Sequence, residues 1–185
     1  TMNASSITAG TLAVARCGTG TTSYTAGITM ADLWLKEAGQ SISPSATAVI
    51  LSGSLKRANQ TWSGTIGSAM TESSGIFTFP STGIYKVEYV YNIGRDNHAQ
   101  AYYGGQIQVT TNNSAYSIVG YSYQWFEDTA SIQGSGYTSA LIDVTDVANV
   151  KVKFMIISED ASALTTKGTA SENLTYFTFI RLGDT

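Results

Sequence analysis

Cysteine and histidine occur once each, at Cys17 and His98, and proline only at Pro44 and Pro80. A single cysteine excludes an intrachain disulfide and a thiolate metal cluster, and a single histidine would leave zinc a site made mainly of carboxylates, an unusual donor set. No metal and no cofactor is therefore expected. Charged residues are also scarce, at 12% of the chain with a formal net charge of -3. That balance offers no basic field to phosphate backbones, so nucleic acid is not an expected partner. No run reaches the ~18 to 20 apolar residues that span a bilayer, and the first residues lack the basic start and apolar block of a signal peptide. Membrane insertion is not expected. Thr1 ahead of Met2 points to a tag remnant or a piece cut from a longer protein.

What is present leans toward strands. The 185 residues are 43% hydrophobic and 11% aromatic, too apolar and too rich in rings for a disordered polymer, and β-branched and aromatic residues favour pleated sheet. The length suits one main domain with an appendage. Residues 1–25 are Thr, Ser, Gly and Ala with few large side chains and read as a linker or piece of shaft; residues 26–185 read as the head. So few charges leave much surface to be covered otherwise, and subunit association is one way to cover it.

The densest pattern runs from Gly75 to Gly94. Phe77 and Phe79 share one side of an extended segment, and after Pro80-Ser-Thr-Gly83 the residues Ile84, Lys86, Glu88 and Val90 alternate with Tyr85, Val87, Tyr89, Tyr91 and Ile93. Further strands are expected over 46–51, 55–57, 101–111, 115–126 and 135–144, while Leu141–Phe154, with Asp146-Val147 or Asn149-Val150 at its turn, and Leu174–Leu182 resemble the penultimate hairpin and the last strand of the complement-head and tumour-necrosis-factor jelly roll. Gly39–Ser45 reads as loop, and Ile28–Ala38 fits either a strand or one or two helical turns. No βαβ alternation and no internal repeat is evident.

Two further segments carry a resemblance. The series aromatic-x-aromatic-Pro-x-x-Gly-x-Tyr at Phe77, Phe79, Pro80, Gly83 and Tyr85 resembles the jelly roll of complement-type heads and tumour necrosis factor. Leu12-Ala-Val-Ala-Arg-Cys-Gly-Thr-Gly20 resembles the Leu-x-Val-Ala-Arg-Gly-Gly-Thr-Gly punctuation of bacteriophage tail-fibre and other virion-appendage proteins, with Cys17 where that pattern has its first glycine. The first resemblance implies an antiparallel jelly-roll β-sandwich of about eight to ten strands, with Phe77–Phe79 and Ile84–Ile93 in adjoining strands. It also implies a homotrimer whose inner-sheet aromatics pack around a threefold axis. The second implies a place in the virion, beside other fibre components, with the head attaching the particle to a host surface glycan or protein.

Residue by residue, the chemistry is thin. Gly94-Arg95-Asp96-Asn97-His98-Ala99 reads as an interstrand loop; without a Gly-x-Ser-x-Gly elbow it supports no nucleophilic triad, so its four polar residues are candidate receptor contacts or a solvated turn. Asp143 and Asp146 can flank calcium or cap a polar turn. Glu127-Asp128 and Glu159-Asp160 are adjacent carboxylates, a poor match to the separated pair of a glycosidase. No enzyme is expected. The rings at Tyr102-Tyr103, Tyr116, Tyr121, Tyr123, Trp125 and Phe126, with Tyr89 and Tyr91, serve domain core, trimer packing or sugar stacking. Tyr123 and Trp125 join Arg95, Asp96, Asn97 and His98 as the candidate receptor-binding set. A non-adhesive decoration or neck protein and a carbohydrate-binding module remain as alternative readings.

Overall fold

The computed structural model describes residues 27–43, 45–96, 101–126, 131–158 and 164–185, with the side chains at 45–46, 95–96, 101, 126 and 131–132 set aside. The expected linker over 1–25 lies outside them. The strands are β1 (Met30–Lys36), β2 (Gln40–Ile42), β3 (Ser45–Ile50), β4 (Leu55–Arg57), β5 (Thr71–Ser73), β6 (Ile76–Thr78), β7 (Gly83–Asp96), β8 (Ala101–Thr110), β9 (Ser117–Phe126), β10 (Ser131–Val144), β11 (Lys151–Ser158), β12 (Leu164–Thr166) and β13 (Tyr176–Gly183). No helix occurs among the described residues.

Every ladder is antiparallel, and the strands form two sheets. In sheet A, β10 pairs along the whole of β7; β13, β1 and β4 follow on the other side, and β12 and β2 extend the far end. In sheet B, β9-β8-β11 is continued by β6 and β5 beside one half of β11 and by β3 beside the other. This is the expected jelly-roll sandwich, built from more strands than foreseen because pieces of three residues patch its margins. Ile28–Ala38 resolves as strand β1, and part of the expected Gly39–Ser45 loop is strand β2.

The core is the aromatic layer between the sheets. Tyr85, Val87, Tyr89, Tyr91 and Ile93 of β7 are fully buried, as are Phe177 and Phe179 of β13, against Phe77, Tyr103, Ile107, Val152, Phe154 and Ile156 of sheet B. Phe154 lies 4.2 Å from Phe177 and 5.2 Å from Tyr89 between ring centroids, while Phe77 meets Trp34 edge-on at 5.2 Å. Each such side chain contributes about 1.5 to 3 kcal/mol by leaving water.

Two expected pairings are corrected. Phe77–Phe79 and Ile84–Ile93 follow one another in the chain yet lie in opposite sheets, because the turn at Pro80 carries the chain across the core and sets the Phe79 and Tyr85 rings at 4.7 Å, tilted by 56°. Gly83 has φ +137°, and a Cβ there would sit 2.5 Å from the Gly183 carbonyl oxygen, so only glycine fits. Leu141–Phe154 is likewise no hairpin: β10 pairs with β7 and β11 with β8. Val144, Val150 and Val152 are all buried, and a connection between layers about 10 Å apart needs the longer turn at 145–150.

The end of sheet A is anchored by a buried carboxylate. Asp32 accepts hydrogen bonds from Trp34 Nε1, Arg57 Nε and the Met70 amide, each at 2.9 Å, which ties the segment after β4 to β1.

Candidate binding surface

Strand β9 carries rings at every second position. Its pairing with β8 sets Tyr121 opposite Gln106, Tyr123 opposite Gly104 and Trp125 opposite Tyr102, while Gly120 and Ser122 face Ile107 and Gly105 on the core side. Val119 is bulged out of the ladder between Gly120 and Ile118. The inward positions of β9 are small because Tyr91 of the opposite sheet already fills that space. Its hydroxyl donates to the Ser122 carbonyl at 3.0 Å and lies 3.0 Å from Ser122 Oγ. A Cβ on Gly105 would come within 2.3 Å of the Tyr91 ring, and one on Gly136 within 2.1 Å of its hydroxyl. The rings of β9 therefore turn to solvent. Tyr123 is 65% and Trp125 60% exposed.

These outward rings make a concavity of ≈ 580 Å³ lined by Tyr102, Tyr121, Tyr123, Gln124 and Trp125. Tyr121 stands edge-on to Tyr123, at 4.7 Å and 88°, and Tyr102 lies 6.1 Å from Tyr123. Gly104 lies opposite Tyr123 in the β8–β9 ladder. A Cβ there would press within 2.7 Å of the Tyr121 ring and of the Ser122 carbonyl oxygen. Among the described residues, no Lys, Arg, His, Asp or Glu lines it. The buried phenols beneath are held neutral: desolvation raises the pKa of Tyr89, Tyr91 and Tyr103 above the usual tyrosine value.

A second surface is the outer face of sheet A. Pairing aligns Leu33, Thr178, Glu88 and Ser139 in one row, and Ala31, Ile180, Lys86 and Leu141 in the next. Leu141 is 68% exposed and Tyr137 51%. At the centre, Lys86 Nζ and Glu88 Oε1 pair at 2.8 Å, and the Tyr137 hydroxyl donates to the same carboxylate oxygen at 2.9 Å. The bond from Lys86 holds the Glu88 carboxyl below its ordinary range.

Of the expected receptor contacts, Tyr123 and Trp125 come together in the aromatic concavity. Arg95 and Asp96 are corrected from loop to strand: their backbones extend β7 and pair with Ile132 and Ser131, since β10 continues its ladder that far. Their side chains, with Asn97, His98 and the carboxylate pairs Glu127-Asp128 and Glu159-Asp160, lie outside the described residues. Of Asp143 and Asp146, the second is engaged in a polar turn. Asp146 receives the Ala148 amide at 2.7 Å and Asn149 Nδ2 at 2.6 Å, closing the turn before β11. Among the described residues no three His, Cys, Asp or Glu side chains group as a metal site.

Sequence reading placed the rings of this region in one cluster but did not separate them. Tyr103 goes to the core, Tyr121, Tyr123 and Trp125 to the surface, and Tyr116 lies under the Lys153 ammonium, 4.0 Å from its ring centroid. Gly104 and Gln124 were not foreseen. The alternation of large residues with Gly120 and Ser122 is the signal that puts the rings on one face.

No family model matches the chain, and no curated protein matches it. Solved structures do. A crystal structure of murine APRIL at pH 5.0 aligns with a TM-score of 0.58 at 11% identity, covering 83% of this chain and 98% of that one. A structure of Eiger TNF from S. frugiperda aligns with a TM-score of 0.62 at 11% identity, covering 86% and 96%. At that identity the likeness establishes the fold: an all-β, antiparallel jelly-roll sandwich of the tumour-necrosis-factor type.

Proposed function

We propose that this chain is the head of a homotrimeric bacteriophage appendage, held in the virion by its N-terminal segment, and that it attaches the particle to the host cell surface. The outer face of sheet A carries the reading. It exposes Leu141 and Tyr137 beside Val90, Ile180 and Leu33, an apolar patch set among the polar Lys86, Glu88, Ser139 and Thr178. A second copy packed there removes those side chains from water, and the Lys86–Glu88 pair supplies a polar register mark within the seam. The punctuation at residues 12–20 supports the virion assignment. Three modest sites on one rigid tip engage a surface together, which raises avidity without new contacts.

Light scattering tests the seam. The expected mass is three times the 19.6 kDa chain, falling to the single-chain mass in Leu141→Asp. A wild-type monomer would end the trimer reading. Labelled trimer is expected to decorate cells of a susceptible bacterium, and a trimer that binds no bacterial surface would leave the decoration role in its place.

A further inference from the structure

We propose that the concavity formed by Tyr102, Tyr121, Tyr123, Gln124 and Trp125 on the outer face of sheet B is a saccharide site, which takes an uncharged pyranose ring at the end of a surface glycan. The proposal rests on the attachment reading, and it names the chemistry that the tip grips.

The orientation of the rings is the first support. Solvent-facing positions of a half-buried antiparallel strand are ordinarily polar, yet β9 spends three of them on Tyr121, Tyr123 and Trp125. Core volume does not demand these rings, because Tyr91 fills the space beneath β9 from the other sheet. Large exposed rings grouped in one place mark a contact surface.

Shape is the second. The volume of ≈ 580 Å³ lies within the about 300 to 1,000 Å³ of small-ligand sites, whereas a stable protein partner needs a broad surface of about 1,000 Å² or more. The edge-on setting of Tyr121 against Tyr123, with no Cβ on Gly104 to press on the Tyr121 ring, packs the rings against one another before any ligand arrives. Aromatic faces carry negative quadrupole, which suits the C–H bonds on one face of a pyranose. Among the lining residues, the tyrosines bring phenolic hydroxyls and Trp125 an indole N–H, groups able to bond sugar hydroxyls.

Charge selects among ligands that stack. Single-stranded nucleic acid also stacks on rings but needs cations along its backbone; among the described residues no lysine or arginine lines the concavity, and the chain carries a net charge of -3. The described lining offers no cation to the carboxylate of an acidic sugar.

The test uses the full chain with four probes, maltotriose, lactose, N,N′,N″-triacetylchitotriose and methyl α-mannoside, read by saturation-transfer NMR and by quenching of tryptophan fluorescence. At least one is expected to bind, with affinity unchanged in about 0.5 M salt and no gain on replacing lactose by sialyllactose. Trp125→Ala and Tyr123→Ala are each expected to weaken binding about tenfold or more while the light-scattering mass stays that of wild type. Tyr123→Phe keeps the stacking face and is expected to cost less than Tyr123→Ala. Absence of transfer to all four sugars overturns the proposal. So does loss of the trimer in Trp125→Ala, which would assign the rings to a subunit seam. Leu141→Asp separates the two readings, since a monomer that still binds sugar would break the trimer and spare the site.

Discussion

Strands β7 and β9 both carry aromatic rings at alternate positions, Tyr89 and Tyr91 on one and Tyr121, Tyr123 and Trp125 on the other, and they use the rings in opposite ways. Tyr85, Tyr89 and Tyr91 on β7 are wholly buried; Tyr123 and Trp125 on β9 are mostly exposed. The difference lies in the other face. Behind the rings of β7 stand Ile84, Lys86, Glu88 and Val90, side chains that tolerate a half-exposed surface, whereas behind those of β9 stand Gly120 and Ser122. Small residues inward are tolerable only where a partner fills the gap, and Tyr91 does so. A ring's fate is thus settled by what reaches it from the opposite sheet. Alternation in its own strand does not decide it.

Truncating one ring of the core and one ring of β9 tests this most strongly. Phe154→Ala, which empties the space between Phe177, Tyr89 and Phe77, is expected to cost about 4 kcal/mol in denaturant unfolding. Trp125→Ala is expected to stay within about 0.5 kcal/mol of wild type. Equal losses would mean that the β9 rings are core after all.

A smaller effect is expected from crowding the one residue that links the two strands. Gly136→Ala drives a methyl into Tyr91, for a loss of about 2 to 3 kcal/mol. In a Tyr91→Ala background the same change is expected to cost little, because the clash has gone; additive losses would show that Gly136 matters for another reason. The smallest effect belongs to the hydroxyl. Tyr91→Phe removes its bond to the Ser122 carbonyl and is expected to cost about 1 kcal/mol by the same measurement.

Much of the sandwich was readable in advance. The strand from Ile84 to Ile93 was legible because its large apolar residues alternate with mixed ones over its whole length. The final strand at Tyr176–Gly183 was legible through the resemblance of Leu174–Leu182 to the last strand of the jelly roll. The turns were not. Those at Pro80–Gly83 and 145–150 look like hairpin turns, and nothing local distinguishes a turn that returns within a sheet from one that crosses to the other. The site was half legible: Tyr123 and Trp125 were named as candidate receptor contacts within an unsorted cluster of rings, while Arg95 and Asp96 were taken for loop because Gly94, Asp96 and Asn97 punctuate like one. The ladder with β10 overrides that local preference.

By itself the sequence determined the class and the chemistry available: an all-β chain with rings for a core, no cysteine pair, a single histidine and few charges, because composition and period-two alternation act along the chain. Only the tertiary structure decided which rings stay inside. That choice depends on volume filled from the facing sheet, where Tyr91 meets Gly105, Ser122 and Gly136, residues brought together by folding and marked by nothing in their own neighbourhoods.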